Sequence, residues 1–189
     1  MRKVVYCLNV SIDGFVEDSN GSLDWSNPSE ELRRFFNEQE REFDVQLYGR
    51  GIYEDMAAHW TTAHTKPSAS AREIEYARIW QSIPKLVFSR TLQQVGANAR
   101  LVSDNIADEV SALKAQPGQD MVVCGAGIAA SFMQLDLIDE YRLIIHPVIL
   151  GGGKPMFPAL NSIMNLQLIE TRQLGSGIVL LRYQRAAQP

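Results

Sequence analysis

The chain has 189 residues, 46% hydrophobic and 21% charged, which is the mixture of an ordinary globular protein, and we expect residues 1–189 to form one domain. The net charge is -4 and no Lys/Arg-rich run stands out, so nucleic acid is not expected as a partner. No apolar run reaches about 18 residues, and Val4–Leu8 is too short for a secretion signal. We therefore expect a cytoplasmic protein without a membrane span.

The cysteines and histidines do not indicate a metal centre. Cys7 and Cys124 both lie in apolar, strand-like runs, where we expect buried and reduced thiols. The three histidines are scattered and show no close spacing to a cysteine. No metal site is predicted.

The chain opens with a predicted strand, Lys3–Val10, followed by a loop-rich segment that runs to Asn27. Asn-Pro-Ser-Glu at positions 27 to 30 is typical of a helix start, with Asn27 as the cap and Glu30 as the acid of a capping box. The apolar residues of this helix are expected to form one face, made by Leu32, Phe35, Phe36 and Phe43.

Strands and helices alternate in the rest of the chain. In order, the sequence predicts a strand at Val45–Tyr48, a helix to about Ala58, a polar loop at Thr61–Ser70, a helix at Ala71–Ser82, strands at Lys85–Ser89 and Leu101–Ser103, a helix capped by Asn105, a strand at Met121–Cys124 and a helix to about Leu135. A strand at Tyr141–Leu150, interrupted by His146-Pro147, and a hairpin of Leu166–Thr171 with Ile178–Arg185 follow. This order predicts an α/β fold with a mixed, mainly parallel sheet, helices on both faces and a C-terminal antiparallel hairpin.

Three of the predicted strands end in segments that suit an extended anionic ligand. These segments are Tyr48-Gly49-Arg50, Phe88-Ser89-Arg90-Thr91 and Cys124-Gly125-Ala126-Gly127. The carboxyl ends of parallel strands meet at one sheet edge, where glycines let the backbone approach a phosphate and arginines supply charged forks. Each segment alone is a common turn or surface charge, and together they indicate a dinucleotide. An ordinary Rossmann domain would place its glycine-rich turn after the first strand, so this order argues against that fold.

This order of motifs resembles the dihydrofolate-reductase-like superfamily, and within it the reductase domain of the bifunctional riboflavin-biosynthesis deaminase-reductase and its free-standing relatives. The stretches that carry the resemblance are Ser11–Phe15, Leu23–Trp25, Gly49–Glu54, Lys85–Leu92, Gly125–Gly127, Leu137–Glu140 and His146–Phe157. The resemblance implies a three-layer sandwich that binds NADPH and reduces a small pyrimidine- or pterin-like substrate.

The resemblance also implies which residues hold the cofactor. Gly49, Arg50 and Ile52 would face its phosphates, and Ile52 stands where relatives usually have threonine. Ser89 and Arg90, with Thr91 beside them, would take the 2′-phosphate, which favours NADPH over NADH. The pyrophosphate would lie on Gly125, Ala126, Gly127 and Ile128.

The substrate is expected between the first loop and the first helix. Asp13 is placed either to enter a cleft as proton donor and substrate ligand or to bond the local backbone in an Asp-Gly turn. Trp25 is expected either to stack on a planar substrate or to close the core. Glu30 and Glu31 lie near the position of the acid in dihydrofolate reductases, and water is another proton source. The polar loop Glu17–Asp24 is a candidate lid.

Two departures weaken an assignment to riboflavin synthesis itself. Cys124-Gly125-Ala126 replaces the Glu-Gly-Gly of those reductases, and the chain has no deaminase signature. Because Ile52 replaces the usual threonine and no acid is assigned as the proton donor, the alternative to a reductase is a non-catalytic nucleotide- or ligand-binding protein on the same fold. His146 is expected to pack at a strand end, and Gly151–Lys154 to form a turn at the rim of the site. The apolar strands near the C-terminus would support a homodimer.

Overall fold

A computed structural model describes residues 1–26, 28–160 and 163–186. This part of the chain forms ten β-strands and five α-helices: β1 Val4–Ser11, β2 Phe15–Glu17, α1 Glu30–Glu40, β3 Phe43–Gly49, α2 Arg50–Trp60, α3 Ala71–Ser82, β4 Lys85–Phe88, β5 Ala99–Val102, α4 Ile106–Ala115, β6 Asp120–Cys124, α5 Ala126–Gln134, β7 Glu140–His146, β8 Lys154–Pro155, β9 Leu166–Gln173 and β10 Val179–Arg185. Within these described ranges, none of the helices is long and apolar enough to cross a membrane.

Eight strands form one sheet in the order β5-β4-β3-β6-β1-β7-β10-β9. The first six run parallel to one another, and β10 and β9 complete the sheet as an antiparallel hairpin. The first strand lies in the middle, with Val5 paired to Val122 on one side and to Glu140 on the other. The predicted fold class, with its mainly parallel sheet and C-terminal hairpin, is confirmed.

Helices cover both faces of the sheet because successive strand residues point to opposite sides. Tyr6 and Val123 belong to the larger core, which also holds Val110 of α4 and Phe132 of α5. The other face carries a smaller core in which Leu32 and Phe35 of α1 pack with residues of β7 and β10. Burying a large side chain of this kind contributes roughly 1.5–3 kcal/mol, so the sheet is stabilised from both sides.

The first helix departs from its prediction at both ends. Ser29 is its N-cap, and the hydroxyl of Ser29 accepts a hydrogen bond from the backbone N–H of Leu32 at 3.2 Å. The predicted cap, Asn27, lies outside the described residues. Glu30 is the first helical residue, so its prediction as the capping-box acid, which stands at the third helical position, was wrong. Phe43 was also wrongly assigned to this helix: α1 ends at Glu40, and Phe43 opens β3 and packs against Val5 and Val122.

Three other local features differ from the sequence prediction. Pro147 has no backbone N–H to give to a neighbouring strand, and β7 ends at His146, where the interruption was predicted, without resuming as a strand to Leu150. Asn105 holds the N-cap position of α4 in a left-handed conformation, with φ of 58°, and its side chain makes no capping hydrogen bond to the described residues. The short ribbon of β2 and β8 was not predicted.

Candidate functional site

Two cavities open at the carboxyl edge of the sheet. The first, which we name the edge cleft, has a volume of about 510 Å³ and is lined by residues that include Glu17, Gly49, Arg50, Ile52, Gly125, Gly127, Ile128 and Lys154. The second, the helix cavity, has a volume of about 290 Å³ and lies between α1, α2, α3 and the sheet, with a lining that includes Asn9, Phe36, Glu40, Ile52, Trp60, Tyr76, Cys124 and Gly125. Ile52 and Gly125 line both cavities, so the cavities adjoin there.

Glycines bring two helix starts together in the edge cleft. Gly49 and Gly125 are the N-cap residues of α2 and α5 and have no side chain to bond the first N–H groups of those helices. A Cβ on Gly125, whose φ is +97°, would lie 2.8 Å from Cγ2 of Ile52, and a Cβ on Gly49 would lie 3.1 Å from Cβ of Ile128. The two helix starts therefore lie side by side, with backbone donors suited to an anion.

The predicted phosphate residues of the middle strands gather beside the edge cleft. Arg50 donates a hydrogen bond from Nη1 to Oγ1 of Thr91 at 3.1 Å, and Ser89 accepts one from the backbone N–H of Thr91 at 3.2 Å. Arg90 lies on an exposed turn, with Nε 3.5 Å from Oδ1 of Asp104. The side chains of Arg90 and Asp104 are 83% and 66% exposed, and those of Arg50 and its ion-pair partner Glu54 are 55% and 52% exposed. Ion pairs as exposed as these contribute little stability, so both arginines can exchange their partners for a bound phosphate.

Asp13 binds the backbone of the turn at Leu150 and Gly151. Its carboxylate accepts hydrogen bonds from the backbone N–H of Leu150 at 3.1 Å and of Gly151 at 2.7 Å. Hydrogen bonds from Ser11 and from these two N–H groups lower the pKa of Asp13. A carboxyl held in its charged form is poorly suited to donate a proton, so this geometry favours an anchoring role.

Glu30 and Glu31, the other predicted acids, are exposed and neither lines the described walls of either cavity. The carboxylate of Glu30 lies 3.0 Å from Nε of Arg72 on α3. Glu31 faces the turn between β9 and β10, where a Cβ on Gly175 would lie 2.3 Å from its Oε2. The structure therefore places both acids away from the junction of the two cavities.

Trp25 packs against the end of β7. Its ring meets that of His146 edge to face, with centroids 5.3 Å apart, and its indole nitrogen is buried without a partner among the described residues. Nε2 of His146 lies 2.9 Å from Oδ1 of Asn9, and burial lowers the pKa of this histidine. Asn9 lines the helix cavity, so Trp25 is linked to the wall of this cavity through His146.

The predicted lid lies at the mouth of the edge cleft. Oδ1 of Asp18 accepts hydrogen bonds from the backbone N–H of Asn20 and of Ser22, both at 2.8 Å, which closes the loop into a tight turn. The loop is joined to the ribbon of β2 and β8, where Nζ of Lys154 lies 2.8 Å from Oε1 of Glu17.

The structure adds Glu40, an acid that the sequence analysis missed. Its side chain is buried and lines the helix cavity. Oε2 accepts a hydrogen bond from Nε2 of Gln46 at 2.7 Å, and the Tyr76 hydroxyl lies 3.4 Å from Oε1. Burial raises the pKa of Glu40, which favours its protonated form. A buried acid on the wall of a cavity can hold a proton for a bound molecule.

The two cysteines are free thiols on neighbouring strands and line the same cavity. Cys7 and Cys124 are unpaired, as predicted, but they are half-buried rather than buried because they face this cavity. Burial raises the pKa of Cys7 to about 12, and it also raises that of Cys124. Both thiols are therefore held in the neutral form.

Comparison with known proteins gives a consistent family and fold. The profile of the RibD C-terminal domain family matches residues 2–180. The uncharacterized protein YyaP of Bacillus subtilis (strain 168) is 37% identical over 185 residues, which are 96% of this chain and 94% of YyaP.

Solved structures share the fold at lower identity. A candidate riboflavin biosynthesis protein from Shewanella sp. PV-4 has a TM-score of 0.78 at 23% identity, covering 99% of this chain and all of that one. A deaminase and 5-amino-6-(5-phosphoribosylamino)uracil reductase from Thermotoga maritima has a TM-score of 0.67 at 12% identity, covering 98% of this chain and 57% of that one. Dihydrofolate reductase from Enterococcus faecalis, complexed with NADP(H), has a TM-score of 0.63 at 11% identity, covering 98% of this chain and 97% of that one.

Proposed function

This chain belongs to the RibD C-terminal domain family, and on that premise we propose that it is an NADPH-dependent reductase of a small heterocyclic substrate. The observation that carries the proposal is the meeting of the edge cleft and the helix cavity at Ile52 and Gly125. Hydride transfer needs a donor and an acceptor held in contact in one geometry, and two adjoining cavities provide a place for each.

The edge cleft fits a nicotinamide dinucleotide. Two helix starts without side-chain caps lie side by side in it, and a Cβ on Gly51 or Gly127 would have nothing within 4 Å in the described part of the chain. Arg50 and Arg90 add two permanent charges beside these donors. The fold neighbour from Enterococcus faecalis is itself complexed with NADP(H), which agrees with this choice of cofactor.

The roles of the residues follow from their positions. NADPH supplies the hydride when it is bound, and the protein orients it against the substrate. We place its phosphates on the starts of α2 and α5 and its 2′-phosphate on Arg90. Asp13 anchors the turn at Leu150 and Gly151. Glu40 is our preferred proton source, because it is buried on the wall of the helix cavity, whereas Glu30 and Glu31 lie outside it.

The substrate class follows from the helix cavity. Its volume of about 290 Å³ suits a ring system of one or two fused rings, and it offers the side chains of Phe36, Trp60 and Tyr76 for contact with an aromatic ring. The Thermotoga maritima neighbour is named as the reductase of a substituted uracil, which is such a ring. A small heterocycle is therefore the acceptor that we propose.

Fluorescence titration of NADPH and NADH tests the cofactor assignment. We expect the wild type to bind NADPH at least about tenfold more tightly than NADH, since one charge-assisted contact to the 2′-phosphate contributes about 1.5–3 kcal/mol. Arg90→Ala should remove most of this preference. Arg78→Ala is the matched control, because Arg78 is an exposed arginine of α3 that lines neither described cavity.

Turnover separates the reductase from a non-catalytic nucleotide-binding protein. Oxidation of NADPH, followed at 340 nm with a panel of pterins, pyrimidines and quinones, is expected with at least one acceptor. The Glu40→Gln variant should then lose most of its turnover while its affinity for NADPH stays within about twofold of the wild type. Tight NADPH binding without oxidation by any acceptor would favour the binding protein, and failure to bind either nucleotide would refute the proposal.

A further inference from the structure

We infer that the helix cavity takes an uncharged, flat aromatic ring that carries no phosphate group. This inference rests on the proposed function only in treating the helix cavity as the substrate site. Three features of the cavity support it. Carboxylates already pair with the cations of the wall, side chains already cap the helices at the mouth, and the groups on the floor are uncharged.

Carboxylates already engage the cations of the wall. Among the described lining residues these cations are Arg33 and Arg72. Nη1 of Arg33 lies 3.4 Å from Oε1 of Glu73, and Arg72 lies 3.0 Å from Glu30 and 3.0 Å from Glu75. Phosphate recognition uses a cation that can turn to the ligand, whereas Arg72 is held by two partners at once.

The starts of α1 and α3 lie at the end of the cavity lined by Pro28, Arg72 and Glu73, which we name its mouth. These helix starts are capped, in contrast to those of the edge cleft. Ser29 caps α1, and Ser70 caps α3 in a complete capping box with Glu73. In this box the Ser70 hydroxyl accepts from the backbone N–H of Glu73 at 3.2 Å, and the Glu73 carboxylate accepts from that of Ser70 at 2.8 Å. An anion at the mouth would compete for donors that side chains already use, and Glu73 adds a negative charge there.

The floor of the cavity, by which we mean the lining formed by Glu40, Tyr48, Tyr76, Cys7 and Cys124, is held neutral. Burial raises the pKa of Glu40, of Tyr48 and Tyr76 and of both cysteines, so each of these groups favours its uncharged form. Moving a dianionic phosphate from water onto a neutral floor without a free cation would be strongly unfavourable. The same floor suits a neutral ring that exchanges hydrogen bonds with the Glu40 carboxyl.

Matched ligand pairs test this inference by calorimetric titration without cofactor. The pairs are uridine with uridine 5′-monophosphate and guanosine with guanosine 5′-monophosphate, whose bases have one ring and two fused rings. The two members of each pair differ in one phosphate. In at least one pair we expect the unphosphorylated member to bind the wild type at least tenfold more tightly. Equal or tighter binding of both phosphorylated members would overturn the inference, and so would failure of both unphosphorylated members to bind at 1 mM.

A charge variant locates the discrimination at the mouth. In Glu73→Gln the new glutamine can still complete the capping box, because glutamine also serves at this position. The substitution removes the carboxylate that pairs with Arg33, which frees this arginine. We expect it to tighten binding of the phosphorylated member about tenfold and to change that of the unphosphorylated member by less than twofold. Glu38→Gln makes the same change of net charge at an exposed residue, 3.9 Å from Arg34 and outside the cavity lining, and should change neither affinity by more than twofold.

The outcomes separate this inference from the proposed function. If NADPH is bound and oxidised while the phosphorylated and unphosphorylated members of each pair bind equally well, the proposed function stands and only the inference about the substrate is wrong. If NADPH does not bind while the unphosphorylated ligands are preferred, the reductase proposal fails and the ligand class stands. If Glu73→Gln and Glu38→Gln have equal effects, the paired cations do not cause the discrimination and the inference is overturned.

Discussion

The close approach of Gly153 to the ribbon of β2 and β8 makes this glycine a sensitive test of the structure. Its φ is +130°, and a Cβ added there would lie 1.9 Å from the carbonyl oxygen of Glu17. Real Cβ atoms do not approach other atoms closer than 3.0 Å, so an alanine would separate the two segments by at least about 1 Å. That displacement would break the pairing of Glu17 with Lys154.

The expected cost of Gly153→Ala has two parts. A side chain in a backbone region reserved for glycine costs about 1–3 kcal/mol, and each hydrogen bond lost from the ribbon adds about 1 kcal/mol. We therefore expect the free energy of unfolding to fall by about 3 kcal/mol. Gly151→Ala is the control in the same turn: its φ is +73°, but a Cβ there would meet nothing within 4 Å in the described chain, so it should cost about 1 kcal/mol.

Urea unfolding followed by tryptophan fluorescence measures both variants, with the m-value showing whether the unfolded state has changed. Gly153→Ala should also weaken NADPH binding, because Glu17 and Lys154 line the edge cleft. If the two variants lose the same stability within about 0.5 kcal/mol, the cost comes from φ alone, and the argument from close backbone approach is refuted.

Three further predictions concern the buried acid, a helix cap and the core. Because burial raises the pKa of Glu40 above its ordinary 4.5, its contribution to stability is complete below pH 4.5 and is lost as the pH rises through the raised pKa. Glu40→Gln should therefore flatten the fall in urea midpoint from pH 5 to pH 8, and an unchanged slope would contradict this reasoning. Ser70→Ala removes the cap of α3 and should cost about 1 kcal/mol, seen as a melting temperature about 2–4 °C lower; an unchanged melting temperature would show that the capping box adds no stability. Phe132→Ala empties a fully buried site and should cost about 3–5 kcal/mol in urea unfolding, whereas a cost below about 1 kcal/mol would mean that the core refills the space.

The sequence predicted best those elements whose signals are local. The helix Ala71–Ser82 has the predicted bounds because its capping box, Ser70 with Glu73, lies within four residues of chain. The start of α1 was harder to place, since Asn27 and Ser29 are both good caps two residues apart. Phe43 follows that helix at a helical spacing, and only its contacts in the sheet, with Val5 and Val122, identify it as a strand residue.

The part of the candidate site that depends on local sequence signals was also predictable. The glycines at 49 and 125 follow predicted strands directly, so their position at the sheet edge follows from local order. Glu40 could not be found in this way. It lies within the polar run Asn37–Glu42, which is typical of an exposed helix turn, and its burial depends on Gln46 from β3 and Tyr76 from α3.

The central position of β1 has a consequence for synthesis of the chain. This strand is made before both of its partners, β6 and β7, which begin more than 100 residues later, at Asp120 and Glu140. At about 5–20 residues per second, a ribosome takes roughly 6–23 seconds to reach the end of β6 after completing β1. Throughout that time the apolar residues of β1 have no strand to pair with, so a nascent chain arrested before residue 120 should expose them and depend on chaperones for solubility.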